Sequence, residues 1–153
     1  MTRQLASAYS DILIIPGVEI STPQGDIILL GTDELPQTPW TVECVVDFAK
    51  DQDYIAVAAH PYREYGLGDL AKNSKVDAIE VLNGGSSQSA NKLASDLAHT
   101  MGVPGVAGSD AHSPAELFAV HNEIQASLNL DEILKAVKKG LVKVSSAEKS
   151  IRF

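Results

Sequence analysis

Short apolar runs alternate with amphipathic stretches along the 153-residue chain. Residues 11–15 (Asp-Ile-Leu-Ile-Ile) form a nearly unbroken apolar run, the pattern of a strand buried on both faces, and Pro16-Gly17 stops it. Residues 18–21 and 26–30 are two further strand-like runs, with Gln24-Gly25 between them as a hairpin or tight connection. After a polar, Pro-containing loop at 32–39, Thr38 can cap a helix with Pro39 at its first position. That helix runs to about Lys50 and turns Cys44, Val45, Phe48 and Ala49 toward the core. Residues 54–59 and 76–82 are apolar strands, with a short helix near 67–74 between them. Ala90, Leu93, Ala94, Leu97, Ala98 and Met101 follow the i, i+3, i+4 rule and predict a helix over 87–101, closed by Gly102. A strand at 103–107, a short helix at 114–120, an edge strand at 123–127, a helix at 130–139 and a last strand at 141–145 complete the pattern. Residues 2–9 can form a short helix, and residues 147–153 are a tail.

Strands alternating with helices predict an α/β fold with a mostly parallel sheet, either open or part of a barrel. No linker, repeat or low-complexity stretch divides the chain, so a single domain over 1–153 is expected. With 44% apolar and 21% charged residues the composition is that of a soluble globular protein. The net charge of −8 argues against a general nucleic-acid surface, while leaving room for a phosphate ligand held by metals or by a few local Arg and Lys side chains. The single cysteine, Cys44, excludes an internal disulfide and fits a reducing compartment; its apolar helical context suggests a buried structural thiol. No apolar run reaches the roughly 18 residues of a membrane span, so no membrane partner is expected. The N-terminus lacks the apolar core of a secretion signal, and a cytoplasmic protein is expected.

Polar residues recur at predicted strand ends. Glu19 follows the first strand and the Pro-Gly turn, His60 and Asn83 end the next strands, and Asp110 and His112 follow the run at 103–107. Parallel α/β folds gather such positions at one rim, where their sites lie. On an extended segment Asp110 and His112 point to the same side. Either they are half of a metal site, or Asp110 caps the next helix and His112 lies at the surface. Carboxylate oxygens with imidazole nitrogens suit Zn, Mn or Fe.

The motifs Pro16-Gly17-Val18-Glu19-Ile20-Ser21, Ala59-His60-Pro61, Ile79-Glu80-Val81-Leu82-Asn83-Gly84 and Gly108-Ser109-Asp110-Ala111-His112 resemble, in order and spacing, successive motifs of the PHP (polymerase and histidinol phosphatase) family. The resemblance implies a distorted (β/α)7 barrel, here incomplete, with a metal cluster at its mouth. It also implies metal-dependent hydrolysis of phosphate esters, with water as the nucleophile. Glu19, His60, Asp110 and His112 match family metal ligands and form the expected catalytic set. Glu19 matches a bridging carboxylate, His60 and His112 match histidines sharing one metal, and Asp110 matches a ligand of another. Asp26 stands where the family usually has a histidine ligand; it is either a ligand or an exposed turn aspartate. Arg63 is either a phosphate contact or one half of a surface salt bridge, and Asn83 lies at the expected substrate rim.

The family's N-terminal His-x-His and Asp-His motifs are absent, so the chain reads as N-terminally truncated relative to the family. By the resemblance each metal position then keeps two protein ligands, which hold a metal weakly. The expected function is a PHP-type phosphoesterase acting on a small phosphorylated substrate, impaired or dependent on a segment supplied elsewhere. The alternative is a non-catalytic PHP-like domain whose residual metal or phosphate site serves binding or assembly. An uncovered sheet edge implies a homo-oligomer or a partner chain.

Overall fold

The computed structural model describes residues 11–146, so the helix expected at 2–9 and the tail at 147–153 lie outside the described residues. The sheet starts from a hairpin. Strand β1 (Gly17–Thr22) and strand β2 (Gly25–Leu30) are joined by the two-residue turn Pro23-Gln24, which permits only antiparallel pairing. The Thr22 hydroxyl donates to the Gly25 carbonyl at 2.6 Å and accepts from the amides of Gln24 and Gly25 at 3.2 and 3.1 Å. The register sets Glu19 opposite Ile28 and Ser21 opposite Asp26. Residues 31–41 and helix α1 (Val42–Asp51) carry the chain back to the end where β2 finished. Strand β3 (Ile55–Ala58) therefore runs antiparallel to β2, with Leu30 opposite Ile55. A 3₁₀ turn (Gly68–Asn73) and helix α2 (Gln88–Met101) then provide true crossovers, and strands β4 (Ala78–Asn83) and β5 (Gly105–Gly108) add in parallel. Ser87 caps α2 through the Ala90 amide, and Gly102 ends it in a left-handed conformation (φ 67°).

The strand order is β1-β2-β3-β4-β5, and strands β6 (Val120–Ile124) and β7 (Val142–Ser146) form a separate antiparallel ribbon, with helix α3 (Leu130–Lys138) between them in sequence. Alternation along each strand divides the core in two. Ile20, Ile27, Leu29, Ala56, Ala58 and Ile79 pack with α1 and α2. Ile55, Val57, Ala78 and Val106 face the other way, onto Leu134 and Val137 of α3. No backbone ladder joins the ribbon to the main sheet among the described residues. The Asn122 side chain makes the join instead: its amide donates to the Ala107 carbonyl and its oxygen accepts from the Ala107 amide, both at 2.7 Å.

This architecture corrects several expectations. The sheet is open, antiparallel at β1/β2, β2/β3 and β6/β7, and parallel only at β3/β4 and β4/β5. The chain is a mixed α/β domain, not a mostly parallel (β/α)7-type barrel. Residues 11–15 are irregular, with Ile12 exposed, because β1 is the sheet edge and no further strand lies beyond it among the described residues. Helix α1 begins three residues later than expected: Thr41, not Thr38, accepts from the Cys44 amide, and the Trp40 indole N–H is tied back to the Pro36 carbonyl. The inward stripe of α1 is Val42, Val45, Val46 and Ala49, spaced i, i+3, i+4, i+7, which leaves Cys44 exposed rather than buried. On α2, Ala94, Leu97 and Ala98 are buried while Leu93 is half exposed. The edge strand begins at Val120 rather than 123.

Candidate metal centre

His60 lies just beyond the fully buried β3, with φ of 23°, a left-handed value that side-chain-bearing residues rarely adopt. The loop after it folds back on itself. Arg63 N–H donates to the His60 carbonyl (2.9 Å), Gly66 N–H to the Arg63 carbonyl (3.0 Å) and Gly68 N–H to the Pro61 carbonyl (2.7 Å), while the Tyr65 carbonyl accepts from Asp26 N–H (2.8 Å). Gly66 is pressed so tightly on the backbone of His60 and Pro61 that a β-carbon there would overlap it.

Three side chains converge beside this loop. Glu19 and Asp26 share one face of the hairpin, and His60 Nε2 lies 3.8 Å from Glu19 Oε1 and 3.8 Å from Asp26 Oδ2. The three potential ligand atoms all lie within 4.8 Å of one another. Asp26 is 5% exposed and His60 8%, whereas Glu19 is exposed at the mouth. Asp26 Oδ1 and His60 Nδ1 are buried with no hydrogen-bond partner among the described residues. A buried carboxylate oxygen with no donor is rare in a folded protein. A divalent ion would neutralise this group, and one imidazole nitrogen with two carboxylates is a donor set that Zn, Mn or Fe accepts. Metal–ligand bonds of about 2.0–2.2 Å place neighbouring donors roughly 3.5 Å apart, so the two His60–carboxylate separations of 3.8 Å need to close by only a few tenths of an ångström. The residues present therefore fit a metal.

A second cluster adjoins the first. Glu80, on β4, is 4% exposed, and its Oε2 accepts from His60 N–H (2.8 Å) and from the Asn83 amide (3.1 Å). Burial pushes the Glu80 carboxyl above its ordinary range, against the opposing pull of those two donors. Asn83 Oδ1 accepts from Arg63 Nη1 (3.1 Å), Gly85 N–H (2.9 Å) and the Ser86 hydroxyl (3.0 Å). Arg63 Nη1 also pairs with Asp110 Oδ2. His112 is 82% exposed, with Nδ1 2.9 Å from the Asp110 carbonyl. Asp110 caps nothing: Ser113 and Glu116 form the capping box of the following 3₁₀ turn (Pro114–Glu116). A polar cleft of about 370 Å³ opens here, lined by Arg63, Gly84, Ser109, Asp110, His112 and Glu116.

Of the residues singled out in the sequence, the structure thus gathers Glu19, Asp26 and His60. It joins Arg63, Asn83 and Asp110 in a separate group, and leaves His112 at the surface. Asp26 is not an exposed turn residue, and Arg63 is held in an ion pair. Glu80 was not singled out, although a charge inside the apolar run 76–82 is a visible signal.

Residues 88–142 match a family model described as PHP-associated. The match agrees with the PHP resemblance of the motifs; it includes Asp110 and His112 and does not extend to Glu19, Asp26 or His60. The fold is similar to the crystal structure of PsfC from Pseudomonas syringae PB-5123, with a TM-score of 0.72 at 21% identity over 93% of this chain. The chain spans 63% of that protein's length, and at this identity the likeness is one of fold. No curated protein matches the chain. No helix among the described residues is long and apolar enough to cross a membrane.

Proposed function

We propose that the chain binds a divalent cation through Glu19, Asp26 and His60, and that this PHP-related site serves hydrolysis of a small phosphate ester. The observation that carries the reading is the buried Asp26 carboxylate, with one oxygen unpartnered and the other facing His60 Nε2. The ion would supply Lewis acidity toward a phosphoryl oxygen and a nucleophile from water at neutral pH. Asp26 and His60 form the buried floor, fixed by the β2 register and the 60–68 loop, and exclude water from that side. Glu19 stands at the mouth, where the substrate enters. Arg63 is the adjacent cation, and a phosphate binding its Nη1 competes with Asp110. That same ion pair, with His112 turned outward, supports the second reading: a site that binds metal or phosphate without turnover.

Titration with Co²⁺, Zn²⁺ and Mn²⁺ should give one ion per chain, with affinity falling about 10-fold or more in Glu19→Ala. An aryl phosphate assay with Mn²⁺ or Zn²⁺ separates the two readings. Turnover lost in Glu19→Ala supports hydrolysis, and stoichiometric metal without turnover supports the binding role. Absence of metal above background in the wild type sinks both.

A further inference from the structure

We infer that Glu80 is a positioning residue: its buried carboxylate holds the left-handed backbone at His60 and so aims the imidazole at Glu19 and Asp26. The inference rests on the metal reading above and extends it to a residue outside the Glu19–Asp26–His60 cluster.

Three observations converge. First, the His60 conformation needs support. β3 ends at Ala58, so the sheet ladder does not hold the His60 amide, whose partner is Glu80 Oε2 at 2.8 Å. Second, stability alone does not favour a carboxylate at this place. Glu80 borders an apolar cavity of about 290 Å³ lined by residues such as Ile28, Val57, Val106, Leu134 and Val137. A leucine or methionine would fill that space without burying a charge. Third, the fold makes room for the carboxylate. A β-carbon at Gly108 would collide with Glu80 Oε1, so the glycine on β5 leaves the volume the acid occupies. Through Asn83, which donates to Oε2, the carboxylate is also linked to the Arg63–Asp110 pair, so one carboxylate joins the two halves of the site.

The variants Glu80→Ala, Glu80→Gln, Gly108→Ala and the double variant Glu80→Ala/Gly108→Ala test this in the full chain. The first readout is nuclear magnetic resonance without metal. The wild-type His60 amide should be protected from exchange and shifted downfield by its carboxylate partner. Both features should be lost, and the His60 ring resonances moved, in Glu80→Ala and Gly108→Ala. The second readout is Co²⁺ affinity and the visible Co²⁺ spectrum. Glu80→Ala should lower affinity about 10–100-fold, as loss of an outer-shell partner does elsewhere. Glu80→Gln keeps an acceptor oxygen and should stay within about threefold of wild type. Gly108→Ala should weaken binding by displacing the carboxylate, yet add nothing to Glu80→Ala, because both act through the same group.

A folded Glu80→Ala protein with an unchanged His60 amide overturns the inference, whatever its metal affinity. So does a Gln variant that falls as far as the Ala variant. Wild-type protein that binds no Co²⁺ overturns the metal reading instead, and the amide readout still decides the role of Glu80.

Discussion

Alanine at position 66 will cost the chain about 3 kcal/mol or more, a large part of the 5–15 kcal/mol that holds a typical domain together. The added β-carbon would overlap the carbonyl of His60 and the backbone of Pro61, atoms that cannot swing aside as the end of a long side chain can. The loop has no slack on either side. Gly68 and Arg63 donate to the Pro61 and His60 carbonyls, and Tyr65 accepts from Asp26 on β2. Gly25 closes the other flank, where a β-carbon would come within 2.7 Å of the Leu67 nitrogen. Two glycines therefore let two backbone segments touch beneath the cluster. The urea midpoint of Gly66→Ala should drop sharply at constant m-value, and any folded fraction should bind metal poorly because His60 has moved. Gly85→Ala is the control: its β-carbon meets the movable guanidinium of Arg63 at 2.9 Å and should cost little. A Gly66→Ala midpoint equal to that of wild type would refute the backbone-contact account.

Replacing Asp26 by alanine should move stability and binding in opposite directions. In chelator the wild type keeps a carboxylate that is 5% exposed, with Oδ1 unpartnered and a single imidazole 3.8 Å from Oδ2. Removing an under-satisfied buried charge should raise the metal-free stability by about 1 kcal/mol or more, at the low end of what such burial costs. For a domain of this size that is a rise of about 3 °C in Tm. With Zn²⁺ present the order should invert. The wild type gains the free energy of binding, while the variant, short of one of three ligands, binds about 100-fold more weakly and gains little. Paired melts in chelator and in Zn²⁺ check both halves. An Asp26→Ala variant less stable than wild type in chelator would mean that Asp26 serves the fold rather than a ligand. The inversion is the ordinary mark of a site kept against the interest of stability.

Much of the chain was legible before its structure. Helix α2 announced itself through the Ala90, Leu93, Ala94, Leu97, Ala98 and Met101 stripe and Gly102, because face and stop are both local properties. The hairpin and the buried β3 run were equally local. The direction in which the chain re-enters the sheet was not. Periodicity locates α1, but only the path of residues 31–41 decides that β3 returns antiparallel to β2, and that decision separates a mixed sheet from a barrel. Asp110 and His112 do stay neighbours, with His112 Nδ1 3.8 Å from Asp110 Oδ1, but the spacing could not show that Arg63 engages the aspartate and that His112 is left 82% exposed. Asp26 joined Glu19 and His60 through a cross-strand register that no single run of sequence displays.

The Asn122 clamp has a mechanical consequence. A ladder of main-chain bonds would rivet the β6–β7 ribbon to β5 along its length, whereas one carboxamide fastens it like a single bolt. Beyond that bolt, the ribbon and α3 are seated by side-chain packing around Leu134 and Val137 and by the Lys138–Asp53 ion pair at 2.6 Å. Packing yields to small displacements more readily than a ladder does. The ribbon and α3 thus cover the sheet face on which Glu19, Asp26 and Glu80 lie, and are joined to it through side chains.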